Sequence, residues 1–412
     1  MCLLLACVKN ANANELKYSL YSMIESSSNV LFGHSNPVVE DVVEKYGVKF
    51  DSKRKWPTGN LNFKANVADH RYRDNSLNNE ARREGVISLS QDIVNKRLSV
   101  YVIDELKQVK EDEFSLYSSI NDQEVEKINY GLTGKFSINR TNKINMKIGV
   151  VETDFKKDPL SNSLSDKNSL TYQRFFRSNF FAGVGYAESY TRYLNDGNAA
   201  SDVDIVNNYI YIAHKDRYSR YDVNLGVSEI NLGASSYDSD SFKISYKNKN
   251  GNRSLVNVNL SRQIKDNGSL VIEDEDLLLA RRGVSKESRL DLLLMKKVEN
   301  SQYDIKLYGL LIEELGVDSD KEIIKAILSY KYKKGRYTYT LTYQSFEQIA
   351  FTNVIETTNL DDDTVSAELE YLLSKKVKSK VYIKERKSND LLNNSEINDT
   401  LFGVELSYNV VN

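Results

Sequence analysis

The chain has 412 residues, with 56 Lys plus Arg against 58 Asp plus Glu, three His and a formal net charge of −2. So even a balance supplies no bulk positive field, which excludes a nucleic-acid partner held by backbone charge. A hydrophobic fraction of 40% and a mean hydropathy of −0.50, with no run of about 18 apolar residues past the N-terminus, exclude a bundle of membrane helices. A β-barrel stays open, because only one face of each strand must be apolar.

Residues 1–13, MCLLLACVKNANA, read as an export signal. Leu3 to Val8 is a short apolar core, and Ala11-Asn12-Ala13 fits a small-x-small cleavage site before Asn14. The basic start usual in such signals is missing, so the true start codon is open. A second reading takes Leu4-Leu5-Ala6-Cys7 as a lipoprotein site with Cys7 lipidated. Cys2 and Cys7 are the only cysteines, so neither disulfides nor thiolates hold the rest of the chain. The expected division is a signal peptide over 1–13 and one barrel over 14–412.

From Leu16 onward two-residue alternation dominates. Strands are expected over 16–24 and 38–52, with Val42, Tyr46, Val48 and Phe50 sharing a face, and then through Leu61, Phe63, Ala65 and Val67. Further strands are expected near 80–92 and 97–108 around an Asn95-Lys96 turn, and near 124–139 and 143–155 around Arg140-Thr141-Asn142. Pairs near 167–177 and 180–193, 202–214 and 219–231, and 238–248 and 253–264 follow. The last of these meets at an Asn250-Gly251 hairpin signal. The longest connection, 265–283, carries Glu273-Asp274-Glu275-Asp276 and Arg281-Arg282; it and the 25–37 loop are the candidates to fold inward. In the final third, Tyr337, Tyr339, Leu341 and Tyr343 alternate with Arg336, Thr338, Thr340 and Thr342. The chain closes on Phe402, Val404, Leu406, Tyr408 and Val410, opposed by Leu401, Gly403, Glu405, Ser407 and Asn409.

Pro37, Pro57 and Pro159 all fall between strands, as a ladder of backbone donors requires. The tally is about 18–20 strands, with short connections alternating with long ones to the end. Short turns on one rim and long loops on the other describe a closed antiparallel transmembrane β-barrel, its short turns periplasmic and its long loops extracellular. Closure places the first strand, near 16–24, against the last, near 400–411. The last strand resembles the signal by which barrel assembly machinery recognises its clients, so outer-membrane lipid and that machinery are the expected partners.

On the polar faces both signs of charge occur. Arg289 and Asp291, Asp304 and Lys306, Glu368 and Glu370, and Lys378, Lys380, Lys384 and Arg386 are expected to face the lumen. There they either pair across strands or meet a charged solute.

The stretch from 28 to about 140 resembles the β-barrel porin 2 family. The resemblance runs through Ser28-Asn29-Val30-Leu31-Phe32, Asp41, Gly47-Val48-Lys49-Phe50, Gly59, Tyr72 and Leu132 to Ser137 leading into Arg140-Thr141. Ser28 departs from the Asp the family favours, and beyond residue 140 only the rhythm is shared. The resemblance implies an outer-membrane porin-like channel serving exopolysaccharide export, with polysaccharide and periplasmic export components as partners. It carries no catalytic residues.

No enzyme site, cofactor or metal centre is expected. His34, His70 and His214 lie far apart without metal-ligand spacing, and His70 with Ser76 is the only foothold for a hydrolase. The 273–276 acidic run reads as a solvated loop, with a divalent-cation site at an outer loop as the alternative. Gly183-Val184-Gly185 sits inside a strand and opens no helix, so no nucleotide site is read there. The alternative to a channel is a structural or adhesive surface barrel with a blocked lumen, anchoring extracellular matrix.

Overall fold

The computed structural model describes residues 15–29, 38–74, 79–110, 122–157, 159–194, 202–233, 235–251, 253–266, 284–315, 319–352 and 355–411. The export signal, His34, Ser76 and the 273–276 run lie outside them. The strands are β1 (Glu15–Ser27), β2 (Asp41–Trp56), β3 (Gly59–Tyr72), β4 (Glu80–Val94), β5 (Leu98–Lys110), β6 (Asp122–Ser137) and β7 (Asn142–Phe155). Next come β8 (Ser163–Arg177), β9 (Phe180–Tyr193), β10 (Val203–Lys215), β11 (Ser219–Leu232), β12 (Ser235–Asn250), β13 (Ser254–Asp266) and β14 (Val284–Val298). The chain finishes with β15 (Ser301–Glu314), β16 (Ser319–Lys334), β17 (Tyr337–Thr352), β18 (Ile355–Leu372), β19 (Val377–Asp390) and β20 (Ser395–Val411).

Every strand pairs antiparallel with its sequence neighbours, and β1 also pairs with β20, from Lys17↔Val411 to Ser27↔Leu401. The expected closing contact is therefore present, and the sheet has no edge. Closure is what lipid demands, since a free strand edge there would leave backbone groups without partners. Twenty strands about 4.8 Å apart and tilted about 40° make a wall roughly 40 Å across.

The register carries the two-residue alternation round the whole wall. Outward stand Leu20, Val67, Val102, Ile148, Ile210, Leu290, Leu341 and Leu406, each more than a third exposed. The outward apolar rows end in aromatic rings toward the rim that holds both chain ends, among them Tyr221, Tyr303, Tyr337, Tyr339 and Tyr408. At the opposite limit the outward positions turn acidic: Glu126, Glu152, Asp166, Glu188, Asp204 and Glu229 follow one another from β6 to β11. Rings below and carboxylates above bracket the band that can sit in hydrocarbon.

The strict alternation of loop length does not hold. On the rim away from the termini, β11 and β12 are joined by Gly233 and Ala234 alone, and β17 and β18 by Asn353 and Val354. Only four residues link β15 to β16 and β19 to β20. Chain that sequence spacing assigns to loops is strand instead. β17, β18 and β20 run 16, 18 and 17 residues, longer than the roughly 9–11 that a tilted transmembrane strand needs, so these hairpins project past the membrane.

Inside, small residues make room for large ones. The Tyr21 ring lies across Gly47, Tyr101 across Gly131 and Gly149, Tyr209 across Gly185, Tyr211 across Gly183, and Tyr382 across Gly403. Any Cβ at these glycines would enter the ring, so the Gly183-x-Gly185 pair serves close approach within the wall. At the loop rim the lumen face becomes apolar. Tyr308, Leu310, Ile312, Ile323 and Phe346 form one cluster, and Tyr193, Val203, Ile205, Ile230, Ile264 and Val284 a second. The second joins β9–β11 to β13–β14. Pairing of β13 with β12 stops at Phe242↔Arg262, while β13 follows β14 up to Asp266↔Val284. The freed tip leans inward, and Tyr193 Oη donates to Asp266 Oδ1 at 3.1 Å. This tip carries the 265–283 connection, of which 267–283 lie outside the described residues.

Candidate functional site: the charged lumen wall

The register puts Arg289, Asp291, Asp304, Lys306, Glu368, Glu370, Lys378, Lys380, Lys384 and Arg386 on one face, opposite to the lipid-facing rows of β14, β15, β18 and β19. Their partners are close at hand. Arg289 Nε meets Asp291 at 2.9 Å and its guanidinium lies 4.8 Å from the Tyr308 ring centre. Gln302 Nε2 donates to Asp304 at 2.8 Å. Lys378 reaches Glu370 at 3.1 Å, although the register sets Glu370 opposite Lys380. Lys380 turns the other way, to Glu405 on β20 at 3.5 Å. Glu368 stands opposite Tyr382, Lys384 opposite Ser366 and Leu401, and Lys306 opposite Leu293 and Ile327.

Arg386 is spent differently. Its guanidinium binds Asp399, whose side chain is fully buried and whose Oδ1 accepts from Ser27 Oγ at 2.8 Å, Ser28 Oγ at 3.1 Å and the Asn29 amide at 3.0 Å. One carboxylate thus ties β19 and β20 to the end of β1. Lower on the same seam, Tyr382 Oη reaches over Gly403 and donates to Glu25, which also takes Lys45 at 3.1 Å. The ring closure is fastened by side chains as well as by its ladder.

Continuing round, β3–β5 repeat the pattern of compensated charge. Arg82 meets Glu80 at 2.7 Å and Lys107 meets Glu105 at 2.7 Å. The wall from β14 through the seam to β5 is therefore close to neutral.

The wall from β6 to β10 is not. Its inward positions carry Lys127, Lys135, Lys143, Lys147, Lys167 and Lys215, and among the described residues no inward acid on these five strands. Lys127 and Lys147 lie within electrostatic reach of Lys167, as does the acid Asp266 on the leaning β13 tip. β11 and β12 add Lys243, Lys247 and Lys249, while Asp222 is held by Arg220 at 2.5 Å. Reasoning from sequence missed this wall because each lysine is unremarkable alone. The available signal was parity: sorting charges by strand face would have shown cations inside and acids outside.

His70 stands inward on β3 between Lys45 and Glu80, and His214 outward near a turn. Among the described residues no three His, Cys, Asp or Glu side chains gather as metal ligands.

An edgeless wall with lipid-compatible rows outside and charge inside defines the class: this is an outer-membrane-type β-barrel. No protein-family model matches the sequence, and no curated protein does. Solved structures do. The FrpB iron transporter from Neisseria meningitidis, in its apoprotein form, is 9% identical at a TM-score of 0.47, over 98% of this chain and 82% of that one. The siderophore receptor PirA from Pseudomonas aeruginosa is 9% identical at 0.49, over 97% and 81%. The outer membrane protein opdK from Pseudomonas aeruginosa is 10% identical at 0.42, over 97% and 100%.

Proposed function

We propose that this protein is a passive channel of the bacterial outer membrane, serving the export of exopolysaccharide. The observation that carries the channel reading is the charged, polar inner wall of a closed 20-stranded barrel. A barrel this wide leaves an aqueous lumen unless something fills it. Exopolysaccharide as cargo rests on the resemblance of residues 28–140 to the β-barrel porin 2 family. Both termini and the short turns then face the periplasm, with lipid outside and the assembly machinery engaging β20. The reading assigns no catalytic step and no cofactor.

Purified protein in planar bilayers should give steady conductance, and insertions that stay silent across conditions would sink the channel. Deleting the gene should leave polysaccharide in the periplasm instead of the medium. A second reading, a matrix-anchoring barrel with a blocked lumen, is favoured by one feature. The β13–β14 tip packs Ile264 and Val284 against Tyr193, Val203, Ile205 and Ile230 at the loop rim. Under that reading, deleting 267–283 opens a conductance that the full chain lacks.

A further inference from the structure

We infer that the inner face of β8–β10 beside the turn rim is a binding platform for pyranose oligosaccharide, made by Phe175, Phe181 and Tyr209 on a base of Tyr211. This rests on the channel reading above and puts a sugar-recognising site at the mouth where an exported chain enters.

Rings that touch one another in this wall otherwise belong to the outward rows, as Tyr18–Phe50, Tyr221–Tyr246 and Tyr303–Tyr330 do. Among the described residues one set of touching rings faces the lumen instead. Ring centres of Phe175 and Phe181 lie 5.1 Å apart, Phe181 and Tyr211 6.2 Å at 72°, and Tyr211 and Tyr209 6.2 Å. The register fixes their face: Phe181 pairs with Phe175 and Ala213, while Tyr211 and Tyr209 stand opposite Gly183 and Gly185. The row starts beside the β8–β9 turn and climbs along β10.

The base of the row is held firmly. Tyr211 lies over Gly183, is 8% exposed and donates its hydroxyl to the Tyr172 carbonyl at 3.3 Å. Tyr209 lies over Gly185 and stays half-buried, as do Phe175 and Phe181. Tyrosines that serve a glycine gap alone, such as Tyr21 and Tyr382, touch no second ring among the described residues. Closing the wall does not account for Phe175 and Phe181, which fill no such gap. An apolar ring on a wetted wall forgoes the stabilisation of burial, and a ligand that covers it restores that.

A pyranose has the matching surface. Its axial C–H bonds make one face apolar, and their positive edge meets the negative face of an aromatic ring. Its hydroxyls point outward around the sugar and need polar partners. Gln173 opposite Gly183, Thr171 opposite Gly185 and Asn224 opposite Tyr211 flank the row on the same face. A few polar groups around an apolar floor is the usual build of a small-ligand site. Lys143 lies over Phe175, 4.7 Å from its ring centre, so Phe181 and Tyr209 carry most of the sugar contact.

The test compares the full chain with Phe181→Leu/Tyr209→Leu, which keeps apolar bulk but removes both ring faces, and with Tyr18→Leu as an outward control. Each is first shown to be folded by heat-modifiable gel migration, and Phe181→Leu alone, away from any glycine gap, serves where the double change does not fold. In planar bilayers cellohexaose or maltohexaose should interrupt the current at about a tenth of the concentration needed with polyethylene glycol of equal size. The double variant should lose that advantage and Tyr18→Leu should keep it. Equal block by sugar and glycol, an unchanged double variant, or the same loss in Tyr18→Leu would overturn the inference. Calorimetric titration of the two sugars onto detergent-solubilised barrel separates the two readings. Sugar binding that the double variant loses, with no conductance, keeps the platform and discards the channel. Conductance without preference for sugar keeps the channel and discards the platform.

Discussion

The two halves of the barrel wall are built from the same strand geometry yet use charge in opposite ways. From β14 through the seam to β5, inward charges of both signs share the strands, several are held in ion pairs, and at Asp399 the pair is buried. From β6 to β10, the inward charges on these strands are all lysines among the described residues, with Lys127, Lys147 and the Asp266 carboxylate of β13 near Lys167. A compensated charge contributes to holding the wall together and little to the field in the lumen. Uncompensated charge contributes the field and costs some self-repulsion. The difference teaches that charge on a lumen face has no single meaning; whether opposite signs share the strands or one sign stands there alone decides what it contributes.

The largest expected effect is on the compensated side. Arg386→Ala strands the buried Asp399 carboxylate, and removing one partner of such a pair costs about 3–5 kcal/mol. Urea unfolding in detergent measures it, and pairing the change with Asp399→Asn should recover part of the loss. A result no larger than for an exposed lysine would erase the structural role of this half.

The tyrosine–glycine joints come next, and they occur in both halves. Gly403→Val against Tyr382 and Gly185→Val against Tyr209 should each destabilise by about 1–3 kcal/mol through overpacking. Similar losses at the two sites would show that packing is shared while charge is not. Smaller again is the effect of Lys135→Gln, Lys143→Gln and Lys147→Gln on stability, within about 0.5 kcal/mol each. These three should change what passes through the lumen and leave unfolding where it was.

The smallest effect belongs to the β10–β11 turn, outside either wall's lumen face. The Ser219 amide and hydroxyl donate to Asp216 at 2.6 and 2.7 Å and the Tyr218 amide at 2.8 Å, holding its carboxyl below the usual 3.8. A depressed folded value stabilises the fold above pH 3.8 and is lost as pH falls through that lower value. Asp216→Ala should therefore lower stability slightly at neutral pH and leave it nearly unchanged below the depressed value, so that the acid limb of the profile flattens. An unchanged acid limb would remove the turn from the account.

Much of this fold was legible in the sequence because a strand's two faces are written in alternate residues. Phe402 to Val410 read as a lipid-facing row, and they stand outward with Phe402 50% and Leu406 52% exposed. The seam with β1 followed from the need to leave no edge. Loop lengths were less legible, since a projecting hairpin such as β17–β18 obeys the same alternation as a membrane strand, with acids outward in place of hydrophobes.

Sequence alone thus determined the barrel, its strand number within narrow limits and which residues of each strand look inward, because side-chain period and backbone satisfaction are local demands. Only the tertiary structure decided which inward charges have partners. Lys380 chooses Glu405 over its hairpin neighbours, and Arg386 meets Asp399 beside Ser27. Such pairings depend on how far a side chain reaches across the ladder and on what the first strand brings to the last, and no alternation of residues records that.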